Sequence, residues 1–525
     1  MGKISLLDCT LRDGGYVNDW MFGEDTIKGF CKKIIDTGIE ILEVGFIKGD
    51  TYNPDRGVFP DIKTIKNAIP EKSPDVMYVG MADMSSPVPF EERFLPKDKD
   101  SIDGVRVIFK KSKMEEAYSY CKKVKDAGYV LFVQFVGTDS YSDKEFIEAI
   151  EKFNTLEPYA ISIVDSFGMI KRKQFLRLVY LADNNMKKGI TLGYHAHNNL
   201  QQAYGNAEAL VELGLQRDIC IDACVFGMGR GAGNLNMELF AEYLNESHGK
   251  DYKIEPMLEI MDEYLSDIYK KKFWGYSLPL YLSASCGVHP NYAIYLAEKD
   301  SLSVKAFNEL LHSISREDKA KFSKDKAESY YKKFLETSTD DSDAIDELTK
   351  IFSNRNVLLL APGKTIRENK KLIGEQVDKN DCVVLAVNFA ADSFSPDFVF
   401  SSNIRRYSKI EGKTGAKCIV TSNLQDISEF DYKVNFASFS SEQPDIIDNA
   451  GLMALKLLKK CNVNEVIIAG MDGYSVHDEC DYYDKNLEYD FSSEAERRNN
   501  MISDEIRKLK AEMKISFITP TKYDI

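Results

Sequence analysis

What most constrains this chain is an alternation: over its first 250 residues, short apolar runs are separated by amphipathic stretches. The runs fall at 4–9, 39–46, 76–81, 104–109, 130–135, 160–164, 191–195 and 219–225, and most are rich in Val, Ile and Phe. Continuous apolar runs of this length suit strands buried on both faces, as in a parallel sheet. The stretches 25–36, 113–127, 142–153, 172–186, 200–213 and 237–247 read as helices. Eight strands, nearly all separated by helical patterns within about 250 residues, predict a (β/α)8 TIM barrel.

From 251 to 350 the pattern changes. The sequence is helical, charged and rich in Tyr and Lys, with a polar run, ETSTDDSD, near its end. It reads as a helical extension of the barrel followed by a linker. Strand–helix alternation resumes with NVLLLAPGKTIREN, continues through CVVLAVNF, PDFVFSSN, KCIVTSN and VNEVIIAGMD, and closes with MKISFIT. Residues 351–525 are therefore expected to form a smaller, Rossmann-like α/β domain with a mainly parallel sheet.

Composition narrows the function classes. An excess of 83 acidic over 68 basic residues, a net charge of −15, argues against a nucleic-acid surface as the main partner. A local basic site for an anionic substrate stays compatible with it. No run approaches the ~18 consecutive apolar residues of a membrane span. The opening MGKISLLDCTLRDGG lacks a signal-peptide pattern, so a cytoplasmic protein is expected. Ten cysteines include no CxxC pair, Cys220 and Cys224 lying closest, which predicts reduced thiols rather than a disulfide framework or zinc ribbon.

Six histidines occur in the chain, and two stand at His195 and His197 in GYHAHNN. Residues i and i+2 of a strand share a face, so two imidazoles can meet one ion near the end of the seventh strand. The alternative is a structural pair. The first strand ends LLDCTLRDGG, which delivers Arg12 and Asp13 to the same rim, because parallel barrel strands all finish on one face. One carboxylate with two imidazoles and open positions suits Mg, Mn, Co or Zn.

TLRDG on strand one, HAHNN on strand seven and GMGRGAGN after strand eight resemble the DRE-TIM metallolyase superfamily over roughly residues 1–300. Within it the chain is most similar to 4-hydroxy-2-oxovalerate aldolases. The resemblance implies that Asp13, His195 and His197 bind a divalent metal, Mn or Mg first, with Co or Zn as alternatives. It implies that Asn234 lies at or beside the metal and that Arg12 stabilises an enolate. The implied substrates are a small 2-keto acid and an aldehyde, joined or parted through pyruvate enolate. A 2-keto acid can chelate a metal through its carboxylate and C2 carbonyl, and charge gathers on the C2 oxygen as the C–C bond breaks. A homo-oligomer is expected.

The chain departs from those aldolases in one place: Tyr16 stands three residues after the RD Asp, where they have His. Tyrosine, with a reference pKa of about 10, is a poor base near neutrality unless metal or Arg12 lowers it. Tyr16 either orients water or yields the base role to another group, such as His289 in CGVHPNY. Tyr276 and Tyr292 are further candidates for that rim. Glu43 and Asp165, ending strands two and six, either orient Arg12 and touch substrate or brace the rim; Gln134 and Asp222 are similar but fall outside the expected set. Asn198 and Asn199 are expected to hold the histidines. The amides of GMGRGAGN could hold a carboxylate or phosphate, although the motif follows an eighth strand rather than opening a βαβ unit.

In the second domain, the Pro362–Gly363 turn and the segments VLAVNF, PDFVFSSN and VNEVIIAGMDGYS are similar to bacterial sialyltransferase-like and DUF115-type proteins. That resemblance implies a nucleotide or nucleotide-sugar at Gly363, Lys364, Thr365, Asn388, Asn403 and Asp472, and places the chain in surface-carbohydrate synthesis. The transferases' catalytic His has no clear match, His477 being the nearest candidate; a structural domain is the alternative.

Three other readings compete with the aldolase. A Claisen-type acyl-CoA/2-keto-acid synthase would typically carry Glu in place of Asp13, and a hydroxymethylglutaryl-CoA lyase would carry a cysteine where FGMGRGAGN has none. A regulatory metal-binding module is the non-enzymatic alternative.

Overall fold

The computed structural model describes residues 2–525 except 50, 70, 98, 300, 336–338, 380–381, 426, 477–480, 485–486 and 488–490. His477 and part of the ETSTDDSD run thus lie outside the described residues. The chain divides into two compact units, Met1–Ala293 and Ile294–Ile525.

In the first unit, eight parallel strands form a closed barrel: β1 (Ile4–Asp8), β2 (Ile41–Ile47), β3 (Met77–Asp83), β4 (Gly104–Lys110), β5 (Val130–Val136), β6 (Ala160–Asp165), β7 (Thr191–Ala196) and β8 (Ile219–Ala223). Each lies within two residues of its expected bounds. Consecutive strands pair, and β1 closes the ring by pairing with β8 and β2. The full-length crossover helices are Glu24–Ile35, Met114–Asp126, Asp143–Asn154, Arg172–Asn185, Ala203–Glu212 and Met237–His248. The crossover after β2 holds one α-helical turn, Ile62–Ile65, continued by a 3-10 turn over Lys66–Ala68, and the crossover after β3 holds the single turn Phe90–Arg93. Val58–Phe59 adds a short strand beside the end of β2, which the sequence pattern did not signal.

Local chemistry explains where these helices begin and end. Ser142 caps Asp143–Asn154 with a reciprocal Glu145 contact. Glu24–Ile35 carries Glu24 and Asp25 in its first turn and Lys32 and Lys33 in its last, complementing the helix dipole.

The barrel lumen is layered. Leu7, Ile41, Val79, Phe132, Ala160 and Cys220 cluster as an apolar plug. Two residues farther along the inward faces stand Glu43, Arg106, Gln134, Ser162 and Asp222, all buried. Polar side chains therefore gather toward the carboxyl ends of the strands, the face on which a barrel builds its site.

The second unit opens with helices, including Val304–Ser313, Lys324–Leu335 and Ser342–Phe352. The polar stretch expected as a linker is helical from Ser342, where Ile345, Leu348 and Phe352 are buried. A seven-stranded parallel sheet follows: β9 (Asn356–Leu360), β10 (Cys382–Val387), β11 (Phe398–Ser401), β12 (Lys417–Thr421), β13 (Tyr432–Val434), β14 (Glu465–Ala469) and β15 (Lys514–Phe517). Its order is β13-β12-β11-β10-β9-β14-β15. The strand order reverses between β9 and β14, the kind of crevice where open α/β sheets take ligands.

Candidate active site

Six charged or titratable side chains close a ring at the top of the barrel lumen. Arg12 donates through Nη1 to Asp13 and through Nε to Glu43 Oε2 at 2.6 Å. Arg106, on β4, reaches the same Glu43 oxygen at 2.9 Å and pairs with Asp222 on β8. Asp222 Oδ2 lies 3.1 Å from His195 Nδ1, and His195 Nε2 lies 3.4 Å from Asp13 Oδ2. Every member is at most 4% exposed. Three carboxylates face two guanidiniums, and the His195 imidazole bridges two of the carboxylates. Buried charge is tolerated only when paired in this way.

His197 sits beside the ring, its Nε2 3.7 Å from Asp13 Oδ1. The ligand atoms of Asp13, His195 and His197 all lie within 4.8 Å of one another, one carboxylate oxygen and two ring nitrogens converging as a divalent-metal set does. A further buried atom fits the same reading: the Asn234 amide donates to Asp13 Oδ1 at 3.1 Å and to the Met228 carbonyl, while its own Oδ1 is buried with no partner. A hard cation would satisfy that oxygen. Burial on its own would raise the Asp13 pKa, but Arg12 and both histidines hold it well below the usual carboxylate range. Burial lowers His197 to about 4, leaving a neutral imidazole with a lone pair to give. His195 shows the opposite balance, its hydrogen bonds to Asp13 and Asp222 outweighing burial and raising it.

The loops that carry these residues are tied together. Asn199 donates to the Phe167 carbonyl at 3.0 Å and accepts the Ala232 amide at 2.9 Å, linking the HxH segment to the glycine loop. His197 and Asn234 form a β-bridge. Gly233 adopts φ +82, and a methyl there would run into the Gly227 carbonyl, so this position requires glycine. The amides of Ala232, Gly233 and Asn234, in the second half of the motif, are already bound to Asn199 Oδ1, the Arg230 carbonyl and the Gly227 carbonyl.

The remaining sequence candidates divide. Tyr16 exposes 40% of its surface at the mouth, stacked edgewise on Trp20. Desolvation of its phenol, with Asp13's charge second, pushes it up to about 12 rather than down toward neutrality. His289 packs against Phe167, which follows β6, and burial with Arg230 and Lys110 lowers it to about 4. Its Nδ1 accepts the Asn291 amide at 3.2 Å, which leaves the proton of the neutral ring on Nε2. Glu43 orients Arg12. Asp165 spends both oxygens on the Met169 and Ile170 amides, each at 2.9 Å, and braces its loop. Tyr292 is wholly enclosed and Tyr276 is 56% exposed.

Sequence reasoning missed Arg106 and set Asp222 aside. The signal was present: an arginine within VRVIF on an otherwise apolar strand must find a buried carboxylate.

The second unit has its own cavity of about 1150 Å3 including its open mouth, lined by Gly363, Asn388, Asn403 and Asp472 among others. Lys364 and Thr365 are not in its lining. The Gly363, Lys364 and Thr365 amides already donate to the Gly470 carbonyl, the Asp481 carbonyl and Asp472 Oδ2, so the turn is not an empty anion cradle. Asn403 Oδ1 is likewise used as a helix cap, accepting the Arg405 and Arg406 amides.

Residues 106–262, spanning β4 to β8 and the helices that follow, match the HMGL-like family. The chain is similar to a 4-hydroxy-2-oxovalerate aldolase of Desulfitobacterium hafniense, 25% identical over 251 residues, 47% of this chain and 72% of the relative. An oxaloacetate decarboxylase of Mycobacterium tuberculosis is 21% identical over 233 residues, covering 44% of this chain and 67% of the relative. Among solved structures, the N-terminal domain of a putative aldolase from Bacteroides vulgatus is similar at 24% identity with a TM-score of 0.46, covering 56% of this chain and 96% of that one.

Proposed function

We propose that the HMGL-like barrel is a divalent-metal-dependent lyase that cleaves or forms the C3–C4 bond of a 4-hydroxy-2-keto acid, with pyruvate as the common piece. The observation that carries this is the convergence of Asp13, His195 and His197 within 4.8 Å, beside the unpartnered Oδ1 of Asn234 and the unpartnered Nη2 of Arg12. Mn or Mg best suits an oxygen-rich set with two imidazoles. An ion held there would supply Lewis acidity to a chelating keto acid.

The chain's own residues then divide the work. Arg12, fixed by Glu43 and Asp13, keeps one guanidinium nitrogen for the C2 oxygen, where charge collects as the C3–C4 electrons move into the C2–C3 bond. Arg106 holds Glu43 and Asp222, and Asp222 fixes the His195 ring. Tyr16 serves as a hydrogen-bond donor at the mouth. The test is a pyruvate-release screen of the Mn- or Mg-loaded protein against 4-hydroxy-2-keto acids of increasing length. Absence of pyruvate from every member, with metal bound, would refute the aldolase.

A second reading has a specific observation in its favour. Neither group nominated to take the C4 hydroxyl proton is prepared for it: Tyr16 is pushed up to about 12 and His289 Nδ1 is engaged by Asn291. Decarboxylation of a 2-keto dicarboxylate, the reaction named for the mycobacterial relative, yields the same pyruvyl product and needs no such acceptor. Release of CO2 without an aldehyde product would select it.

A further inference from the structure

Three cations at the mouth of the barrel have no task in this scheme. Arg230, in the loop after β8, lays its guanidinium 5.4 Å from the centre of the Tyr16 ring. Lys48, directly after β2, sits 5.5 and 5.7 Å from the Trp20 and Phe46 rings. Lys110 ends β4. Among the described residues, none of the three forms an ion pair with a carboxylate. Nearby rim cations do: Lys111 pairs with Glu145, and Arg56 pairs with Asp19. Three of the rim's carboxylates are engaged elsewhere. Asp83 accepts the Ser85 amide, Asp165 accepts two loop amides, and Asp13 belongs to the buried ring.

Arg230 is the best placed of the three. Its Nη2 lies 3.5 Å from Asn291 Oδ1, a long contact, and its guanidinium sits over the Tyr16 ring at the mouth. Its charge reaches both His197 and His289. The keto-acid end of a substrate already has the metal set and Arg12, so Arg230 is left for the other end. A guanidinium fork matches a carboxylate in two parallel hydrogen bonds.

Resting on the reading of this barrel as a 2-keto-acid lyase, we propose that its substrate is a dicarboxylate, with a second carboxylate beyond C3 received by Arg230 and drawn in by Lys48 and Lys110. An acidic protein with net charge −15 repels dianions in general, and a local cationic rim overcomes that at short range.

The test uses two probes that differ only at their far end, 2-oxoglutarate and 2-oxopentanoate, neither of which has a C4 hydroxyl to cleave. Calorimetric titration of the full-length Mn-loaded protein is expected to show the dicarboxylate binding about tenfold tighter or more at low salt, the scale of a charge-assisted pair. The gap should narrow in about 0.5 M NaCl, close in Arg230→Gln, survive in part in Arg230→Lys and shrink in Lys48→Gln. Equal binding of the two probes by wild type, or a gap that Arg230→Gln and Lys48→Gln both leave intact, overturns the proposal. If Arg230→Gln does not fold, an undiminished gap in Lys48→Gln and at high salt does the same. Pyruvate release is read separately. A gap without cleavage of any keto acid keeps the carboxylate site and removes the lyase reading, while cleavage without a gap does the reverse.

Discussion

Arg12 illustrates how one side chain is committed by its neighbours. Two of its nitrogens are held by Glu43 and Asp13, and Nη2 is buried with no partner. If that nitrogen serves the developing negative charge, Arg12→Lys should lower kcat by about 10²-fold or more while KM changes little; steady-state kinetics decides, and wild-type turnover would make Arg12 a structural residue. Removing a ligand tests a different link. Asp13→Ala or His195→Ala should lose tight divalent-metal binding while circular dichroism remains native-like. Full metal occupancy of both variants by elemental analysis would move the metal elsewhere. Asp8, deeper in β1, gives a pH test away from the metal ligands. Burial raises its carboxyl from 3.8 to about 7, against hydrogen bonds from Thr10 that lower it. The folded state therefore holds this proton more tightly than the unfolded chain, so its contribution to stability falls as pH rises from about 4 to 7, by up to about 1.4 kcal/mol per unit. Asp8→Asn lacks that slope. Urea unfolding should show the variant gaining on wild type across this window and levelling off above it; a constant difference would mean Asp8 is ionised throughout.

At the scale of elements, strands supply the polar layer and loops supply the ligands. Glu43, Arg106, Asp222 and His195 ride on strands β2, β4, β8 and β7, whose inward faces the barrel register aligns. Asp13 and Asn234 come from loops that lack regular pairing and depend on contacts such as the His197–Asn234 bridge. The glycine loop is the sensitive piece. Gly233→Ala places a side chain at φ +82 against the Gly227 carbonyl, which should cost about 1–3 kcal/mol and shift Asn234. Thermal unfolding should fall by several degrees and metal affinity should drop with it; an unchanged affinity would separate Asn234 from the metal. Much of this level was legible beforehand. The RD and HxH motifs stood out because strand ends in a parallel barrel share a rim. Arg106 and Asp222 did not, since a single arginine in an apolar strand names no partner until the barrel closes and brings β4 across from β8.

At the scale of the whole molecule, each unit has its own sheet and its own buried cluster: Ile4 to Trp274 in the first, Leu358 to Leu487 in the second. A fragment of residues 1–293 should therefore fold cooperatively and keep the metal affinity of the full chain. Insoluble or metal-free fragment would show that the first unit draws on the second for its stability. Sequence alone determined the eight-stranded barrel, the restart of strand–helix alternation near Asn356, and the RD and HxH motifs, because periodicity and strand-end placement are local consequences of backbone geometry. Tertiary structure decided the rest. It pushed the Tyr16 phenol up to about 12, closed six charged or titratable side chains into one ring, and left Arg230 without a carboxylate partner over the mouth. Those outcomes depend on which side chains meet across the barrel and how far water is excluded from them, and residues distant in the chain meet only once the sheet has closed.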